Sequence, residues 1–271
     1  MLAAAKMRDG SNGEIRAGAE IMPLRLHSIE RLVALKEQTG VEIGVAGVTT
    51  ESYRDYLRDL WYFFRRAKLK TVKEIGMNIV GIGAQSEPSF TRRFGNHLDV
   101  AVALGATYLA MHYEPTQYLV NKDLLPKWTS TDVLYGRKLN WGPLDNRPEV
   151  LSWDIYRIRD FIHEWQDKGS NIGAILPTDT ALRTGYDLPD VTKRYDLHRA
   201  FEVLNPQVIQ VGDYHPEGKR EKLAPGQGLH QGELAELIQE SSRLDPDRIF
   251  TIEVYDNVEE TVGFVCTNYR G

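Results

Sequence analysis

Short β-rich runs alternate with amphipathic segments along most of the chain, and no other feature of the sequence narrows its fold so far. Eight such runs can be read: Glu14 to Ile21, Val41 to Gly47, Asn78 to Ala84, Thr107 to Tyr113, Lys138 to Leu144, Ile172 to Leu176, Gln207 to Gly212 and Arg248 to Val254. Several are apolar at almost every position, as strands covered on both faces must be. Helical spacing is clearest where Ile155, Ile158, Ile162 and Trp165 form one stripe, with Asp154, Arg157, Arg159 and Asp160 outside it. That stripe reads as core. Further helical segments are Ser28 to Gln38, Tyr53 to Leu69, Asn96 to Leu104 and Glu233 to Ser242.

Strands alternating with helices imply a parallel sheet, and eight of each imply a closed α/β barrel, a (β/α)8 TIM barrel. The chain has 271 residues, the usual size of one such barrel, so residues 14–271 are expected to form a single domain behind a flexible tail of residues 1–13. Two stretches break the rhythm. Residues 114–137 lack a long helical pattern and residues 183–200 hold only a short one. Both follow strand C-terminal ends, the face on which a barrel carries its site, so both are expected to wall a pocket.

Composition excludes several classes of function. A formal charge of -5 offers no long-range attraction to nucleic acid. The basic run Arg65-Arg66-Ala67-Lys68-Leu69-Lys70 reads as a solvated helix end. The lone cysteine, Cys266, rules out an internal disulfide and a cysteine-based zinc cluster, which fits a cytoplasmic protein. No run is long and apolar enough for a membrane span. Gly81-Ile82-Gly83 lacks the third glycine of a dinucleotide loop, so neither a nicotinamide nor a flavin is expected. The expected partner is a small-molecule substrate, with a homo-oligomer left open.

The polar residues near strand C-terminal ends are His112 and Glu114, Asp145 and Asn146, Asp179, Gln210, Asp213 and His215, and Glu253 and Asp256. A lone polar residue in such a place is more often hydrogen-bonded structure than catalyst. Glu253 is the exception, because it interrupts the apolar run Ile249-Phe250-Thr251-Ile252-Glu253-Val254 and a buried carboxylate costs several kcal/mol unless paired or metal-bound. Gln210, between Ile209 and Val211, repeats the pattern at lower cost. Pro225-Gly226-Gln227-Gly228 reads as a tight turn, either purely structural or presenting backbone N–H groups to a ligand. Trp128, Tyr135, Trp141 and Tyr214 lie near the open loops, as packing or as pocket wall.

Three stretches resemble the xylose isomerase-like barrels, a superfamily of sugar isomerases, epimerases and dehydratases, including 3-dehydroshikimate dehydratase. Val208-Ile209-Gln210-Val211-Gly212-Asp213 resembles their seventh strand, Lys222 with Pro225-Gly226-Gln227-Gly228 the basic residue and turn that follow, and Thr251-Ile252-Glu253-Val254 the closing strand. His97 to His112 is similar to the passage from third helix to fourth strand. The resemblance implies a divalent cation (Mn, Mg or Zn) held by acids on strands five, six and eight and a His or Gln on strand seven. Gln210 and Glu253 carry over. Gly142 and Pro177 stand at the two other positions, with Asp179 two residues late, so the metal site is degenerate.

The function implied is an isomerase or lyase that moves a proton, or eliminates, on a small oxygen-rich carbonyl or polyhydroxylated compound without requiring metal. Glu253, His112, His215 and Lys222 are the catalytic candidates. Gln210, Asp213, Glu114, Trp141 and Asp179 are the substrate-binding ones. Two alternatives stand beside it: a metal-dependent epimerase or dehydratase with Asp179, Gln210 and Glu253 as ligands, and a barrel without catalysis that binds a ligand or partner.

Overall fold

The computed structural model describes residues 2–7, 16–18, 34, 37–38, 41–49, 79–84, 107–111, 132–139, 154–188, 190–217, 220–254 and 257–269. The strands are β1 (Leu2–Met7), β2 (Arg16–Gly18), β3 (Val41–Thr49), β4 (Ile79–Ala84), β5 (Tyr108–Met111), β6 (Leu134–Lys138), β7 (Ile172–Pro177), β8 (Val208–Val211), β9 (Asp213–His215), β10 (Arg220–Leu223) and β11 (Ile249–Glu253). Five α-helices are described, α1 (Ile155–Gln166), α2 (Thr178–Asp187), α3 (Leu197–Leu204), α4 (Gln231–Leu244) and α5 (Val258–Tyr269), with a short 3-10 helix at Val191–Lys193.

The chain is an α/β protein built on a parallel sheet. From β2 through β8 each strand pairs in parallel with the next, and β11 joins β8. The sheet closes on itself, but through β1, which runs antiparallel to β11, β2 and β3. The ring therefore differs from the eight-strand closure expected, and Leu2–Met7, expected within a flexible tail, form one of its strands. Leu2-Ala3-Ala4-Ala5 is apolar, and an apolar segment facing an open sheet edge gains a hydrogen-bond ladder by filling it.

The fifth parallel strand is also displaced from its expected place. It spans Leu134–Lys138, not Lys138 to Leu144. A glycine and two cations in Leu134-Tyr135-Gly136-Arg137-Lys138 disguise the strand, but pairing on both edges overrides weak β propensity. Gly136 has a packing reason, since a Cβ there would run into the Ile175 side chain. Gly142, assigned by resemblance to this strand, lies outside the described residues.

Strand register assigns the faces. Tyr108, Ala110, Ile175, Val208 and Ile249 form one buried cluster with Leu134 packed against it. These residues come from strands on different sides of the ring, so the cluster fills its interior. The outer face is covered by helices such as α1, which buries Ile155, Ile158, Phe161, Ile162 and Trp165. Its start is fixed by Asp154, whose carboxylate accepts from the N–H groups of Tyr156 and Arg157 at 3.0 and 3.2 Å, a cap that contributes about 1 kcal/mol. Among the described residues no helix is long and apolar enough to cross a membrane.

Candidate active site at the strand C-terminal ends

Paired residues of neighbouring parallel strands point to the same side of the sheet, so the interior can be read layer by layer. The lower layer contains Ile175, Val208 and Ile249 in register, with Lys138 beside Ile175. Two residues further along each strand, Pro177, Gln210 and Thr251 stand level. Gln210 is 2% exposed and its Oε1 has no hydrogen-bond partner. Burying an amide oxygen unpaired costs about 1–3 kcal/mol, a cost that a ligand hydroxyl donating to Oε1 would remove.

Helix α2 begins directly after Pro177, with no connecting loop, and Thr178 clamps it to the end of β8. The Thr178 hydroxyl lies 2.6 Å from the Gly212 carbonyl and 3.2 Å from the Gln210 carbonyl, and accepts from the Gly212 N–H at 2.9 Å. This fixes the backbone on both sides of Val211. Asp179 lies just past the end of β7, as expected, in the first turn of α2, where it is buried and accepts from the Thr180 N–H at 2.7 Å. Its carboxylate suits the positive end of the helix dipole there, and strand periodicity does not govern where it points.

Asp213 is fully buried on β9. One carboxylate oxygen accepts from the N–H groups of Gly226 and Gly228, both at 3.2 Å, and the other from those of Tyr214 at 2.7 Å and His230 at 3.3 Å. Asp213 therefore folds the Pro225 to His230 loop over the end of β8. Only glycine fits at 228, where a Cβ would come within 2.6 Å of the Tyr214 carbonyl oxygen and overlap the Asp213 carboxylate. The loop's N–H groups, candidates for a ligand in the sequence, are engaged by a side chain of the chain itself.

Around this loop stand further polar groups. His215 ends β9, half-buried, with its Nδ1 enclosed and unpartnered. His230 sets its Nδ1 3.1 Å from Glu233, packs edge-on to Tyr186 with ring centroids 5.3 Å apart, and has no partner at Nε2. Lys222, on the hairpin partner of β9, adopts a left-handed backbone with φ of 56° beside a register shift between Arg220 and Leu223. For a residue with a Cβ that conformation costs on the order of 1 kcal/mol, and such strain concentrates at functional sites.

Glu253 is the last residue of β11, two beyond Thr251. His112, Glu114, Trp141, Asp145, Asn146 and Asp256 lie outside the described residues. The structure thus brings Gln210, Asp213, His215 and Lys222 to one end of the sheet, with Asp179 in the first turn of α2 directly after β7. Lys138, which the sequence places at the start of its strand, is the last residue of β6. It is 8% exposed and shares the interior face with Ile175.

A cavity of about 730 Å³ opens outside the ring, between α1, α2, α3 and the start of α4. Lys193, Arg194 and Arg199 on its wall are matched by Asp154, Asp196 and Glu233, so it has no net charge preference. Tyr195 lines it too, and burial pushes that phenol well above its ordinary value.

Strands that run parallel from β2 through β8 to β11, closed into a ring by β1, define an α/β barrel. More particularly, the chain has the fold of the xylose isomerase-like barrels. It superposes on the xylose isomerase domain containing protein of Salmonella typhimurium LT2 with a TM-score of 0.52 at 14% identity, over 90% of each chain. A xylose isomerase domain protein of Planctomyces limnophilus gives 0.50 at 11% identity over 88% of each. The AsfvAP:AG structure gives 0.57 at 12% identity, over 95% of this chain and 96% of that one. No protein-family model and no curated protein matches the sequence.

The resemblance raises the question of a divalent cation. The positions level with Gln210 are Pro177 and Thr251, which bring no negative charge, and Asp179 lies on a helix. Among the described residues no three His, Cys, Asp or Glu side chains gather as a cation would need. One neutral amide oxygen is too little for Mn²⁺ or Mg²⁺, which take six or more oxygen or nitrogen donors with charge among them. The described residues do not fit the group.

Proposed function

We propose that the protein is an isomerase or lyase that moves a proton beside a carbonyl group of a small polyhydroxylated compound, at the C-terminal mouth of a (β/α)8-type barrel. The observation that carries this reading is Gln210: a buried amide, in the middle of an otherwise apolar strand, whose Oε1 is unsatisfied. A ligand that donates a hydrogen bond to this oxygen, such as one bearing a hydroxyl, would remove that cost. The xylose isomerase-like fold supports the same direction, since the relatives' names refer to sugar isomerisation.

In this reading a base removes a proton from the carbon next to the carbonyl and returns it to a neighbouring carbon, or the electron pair expels a hydroxyl. Glu253 and His215 are the candidates for the base. Lys222, held in its left-handed turn, and Gln210 orient the substrate's oxygens. The test is proton NMR in D2O with a panel of three- to six-carbon aldoses, ketoses and 2-keto-3-deoxy acids. The expected result is enzyme-dependent loss of the signal of one carbon-bound proton in at least one compound, reduced at least about 100-fold in Gln210→Leu. No exchange at any carbon of any panel member would overturn the reading.

A further inference from the structure

The cavity of about 730 Å³ between α1, α2, α3 and the start of α4 lies outside the ring, and its wall holds a polar atom that the fold leaves idle. His230, on that wall, is 7% exposed. Its Nδ1 stands 3.1 Å from the Glu233 carboxylate, which only accepts, so Nδ1 carries a proton. In the neutral imidazole Nε2 then presents a lone pair, and this atom is enclosed without a partner. A buried acceptor left unpaired is a cost that a ligand bearing a donor removes.

The fold itself asks little of this imidazole. Asp213 closes the loop through the backbone N–H of His230, not through the ring. Helix α4 begins at the next residue, and the His230 side chain makes no capping hydrogen bond to it. The ring's described contacts are Glu233 and Tyr186, which packs edge-on to it with centroids 5.3 Å apart.

The wall describes the occupant. Its cations and anions balance, so a charged ligand gains nothing over a neutral one. Its accessible surface is aromatic, since Tyr156 and Tyr186 line it and are 42% and 45% exposed. They are two of the five large hydrophobic residues exposed among the described ones, and two more, Val191 and Leu229, directly precede the lining residues Thr192 and His230 in the chain. Single exposed apolar residues are ordinary, but such a concentration beside a concave wall is what a binding site needs. Tyr186 is also the side of the Nε2 enclosure that is free to turn, because an exposed side chain changes rotamer readily. An aromatic occupant taking its place renews the ring contact with His230 and adds the hydrogen bond that Tyr186 does not make.

We infer that this cavity is a second ligand site, for a small uncharged aromatic compound that donates an N–H or O–H hydrogen bond to Nε2 of His230. It is separate from the reaction proposed at the barrel mouth and stands or falls without it.

The probe is indole, a flat uncharged ring with one N–H, and the control is 1-methylindole, which keeps the ring and lacks the donor. Equilibrium dialysis against the full chain gives both affinities without any turnover. Indole is expected to bind saturably with a Kd of about 0.1–1 mM, ordinary for so small a ligand. The methylated control should bind about 10-fold more weakly, the loss expected for one hydrogen bond. His230→Phe, which keeps a ring against Tyr186 and removes Nε2, should weaken indole by the same factor and leave 1-methylindole unchanged. His230→Gln, which returns an acceptor near the position of Nε2, should recover part of the loss. Gln210→Leu should leave indole affinity as it is. Circular dichroism of each variant checks folding, and if neither His230 variant folds, the comparison of indole with 1-methylindole on the wild-type protein and on Gln210→Leu decides. Absence of saturable indole binding, equal affinity for the two compounds, or unchanged indole affinity in His230→Phe overturns the inference. Loss of indole binding in Gln210→Leu also overturns it, by placing the ligand in the barrel mouth. Proton exchange on the sugar panel is read separately, so its presence or absence leaves this site untouched.

Discussion

Two glutamines three residues apart on the seventh parallel strand have opposite fates. Gln207, at the entry of β8, uses both ends of its amide: Oε1 accepts from the Ala174 N–H at 2.8 Å and Nε2 donates to the Asn205 carbonyl at 3.2 Å. Gly173 makes room for it, since a Cβ there would overlap the Gln207 side chain. Gln210 is more deeply buried and has an idle Oε1. The difference extends to the two ends of the sheet. Near the entry of β11, Arg248 donates to Ser241 at 3.1 Å and to Asn205 at 2.8 Å, and its guanidinium stacks 5.1 Å from the Phe201 ring centroid. Toward the opposite end, Gln210, His215 and His230 each keep a buried atom unpaired. The entry-end groups are largely engaged in holding the fold, although Arg248 also keeps its Nε unpaired, whereas the exit end gathers more idle buried atoms.

Asp213 is the sharpest test of that division, because it sits at the exit end yet is saturated like an entry-end residue. Replacing it by alanine strands four backbone N–H groups, that of Tyr214 on β9 and those of Gly226, Gly228 and His230 in the loop. The expected loss is about 3–5 kcal/mol in denaturant-induced unfolding. A loss under about 1 kcal/mol would mean that water replaces the carboxylate and that Asp213 is available to a ligand after all.

Gln207→Leu comes next in size. It leaves the N–H of Ala174, a fully buried residue, without its side-chain acceptor and should cost about 1–3 kcal/mol, measured the same way. Stability equal to the wild type would erase the contrast between the two glutamines from the entry-end side.

Much of this architecture can be read from the sequence where burial alone decides it. The run Ile172 to Leu176 and the observed strand Ile172–Pro177 nearly coincide, as do the apolar runs around Val208 and Ile249, because strands covered on both faces must be apolar throughout. Reading fails where a tertiary partner supplies the reason. Leu134–Lys138 looks like a poor strand until Ile175 is seen packed over Gly136. Pro177 and Asp179 read as the end of a strand, but proline is also suited to the entrance of a helix, and the Thr178 clamp onto β8 exists only once β7 and β8 are paired. Gln210 is visible as a site residue because an amide among isoleucines and valines is anomalous in any fold. The role of Asp213 is not, since three of its four donors come from a loop that ends seventeen residues later.

Gln210→Leu is expected to have the smallest effect on stability and the largest meaning. The substitution removes an unpaired buried oxygen and replaces it with a side chain of similar volume, so the unfolding free energy should stay within about 1 kcal/mol of wild type or rise. The same variant should lose the proton exchange proposed above. Stability and activity moving in opposite directions at one residue is the signature of a group kept for a ligand. A Gln210→Leu variant destabilised as much as Gln207→Leu would show that its amide has a structural partner, and the exit end of the sheet would then be built like the entry end.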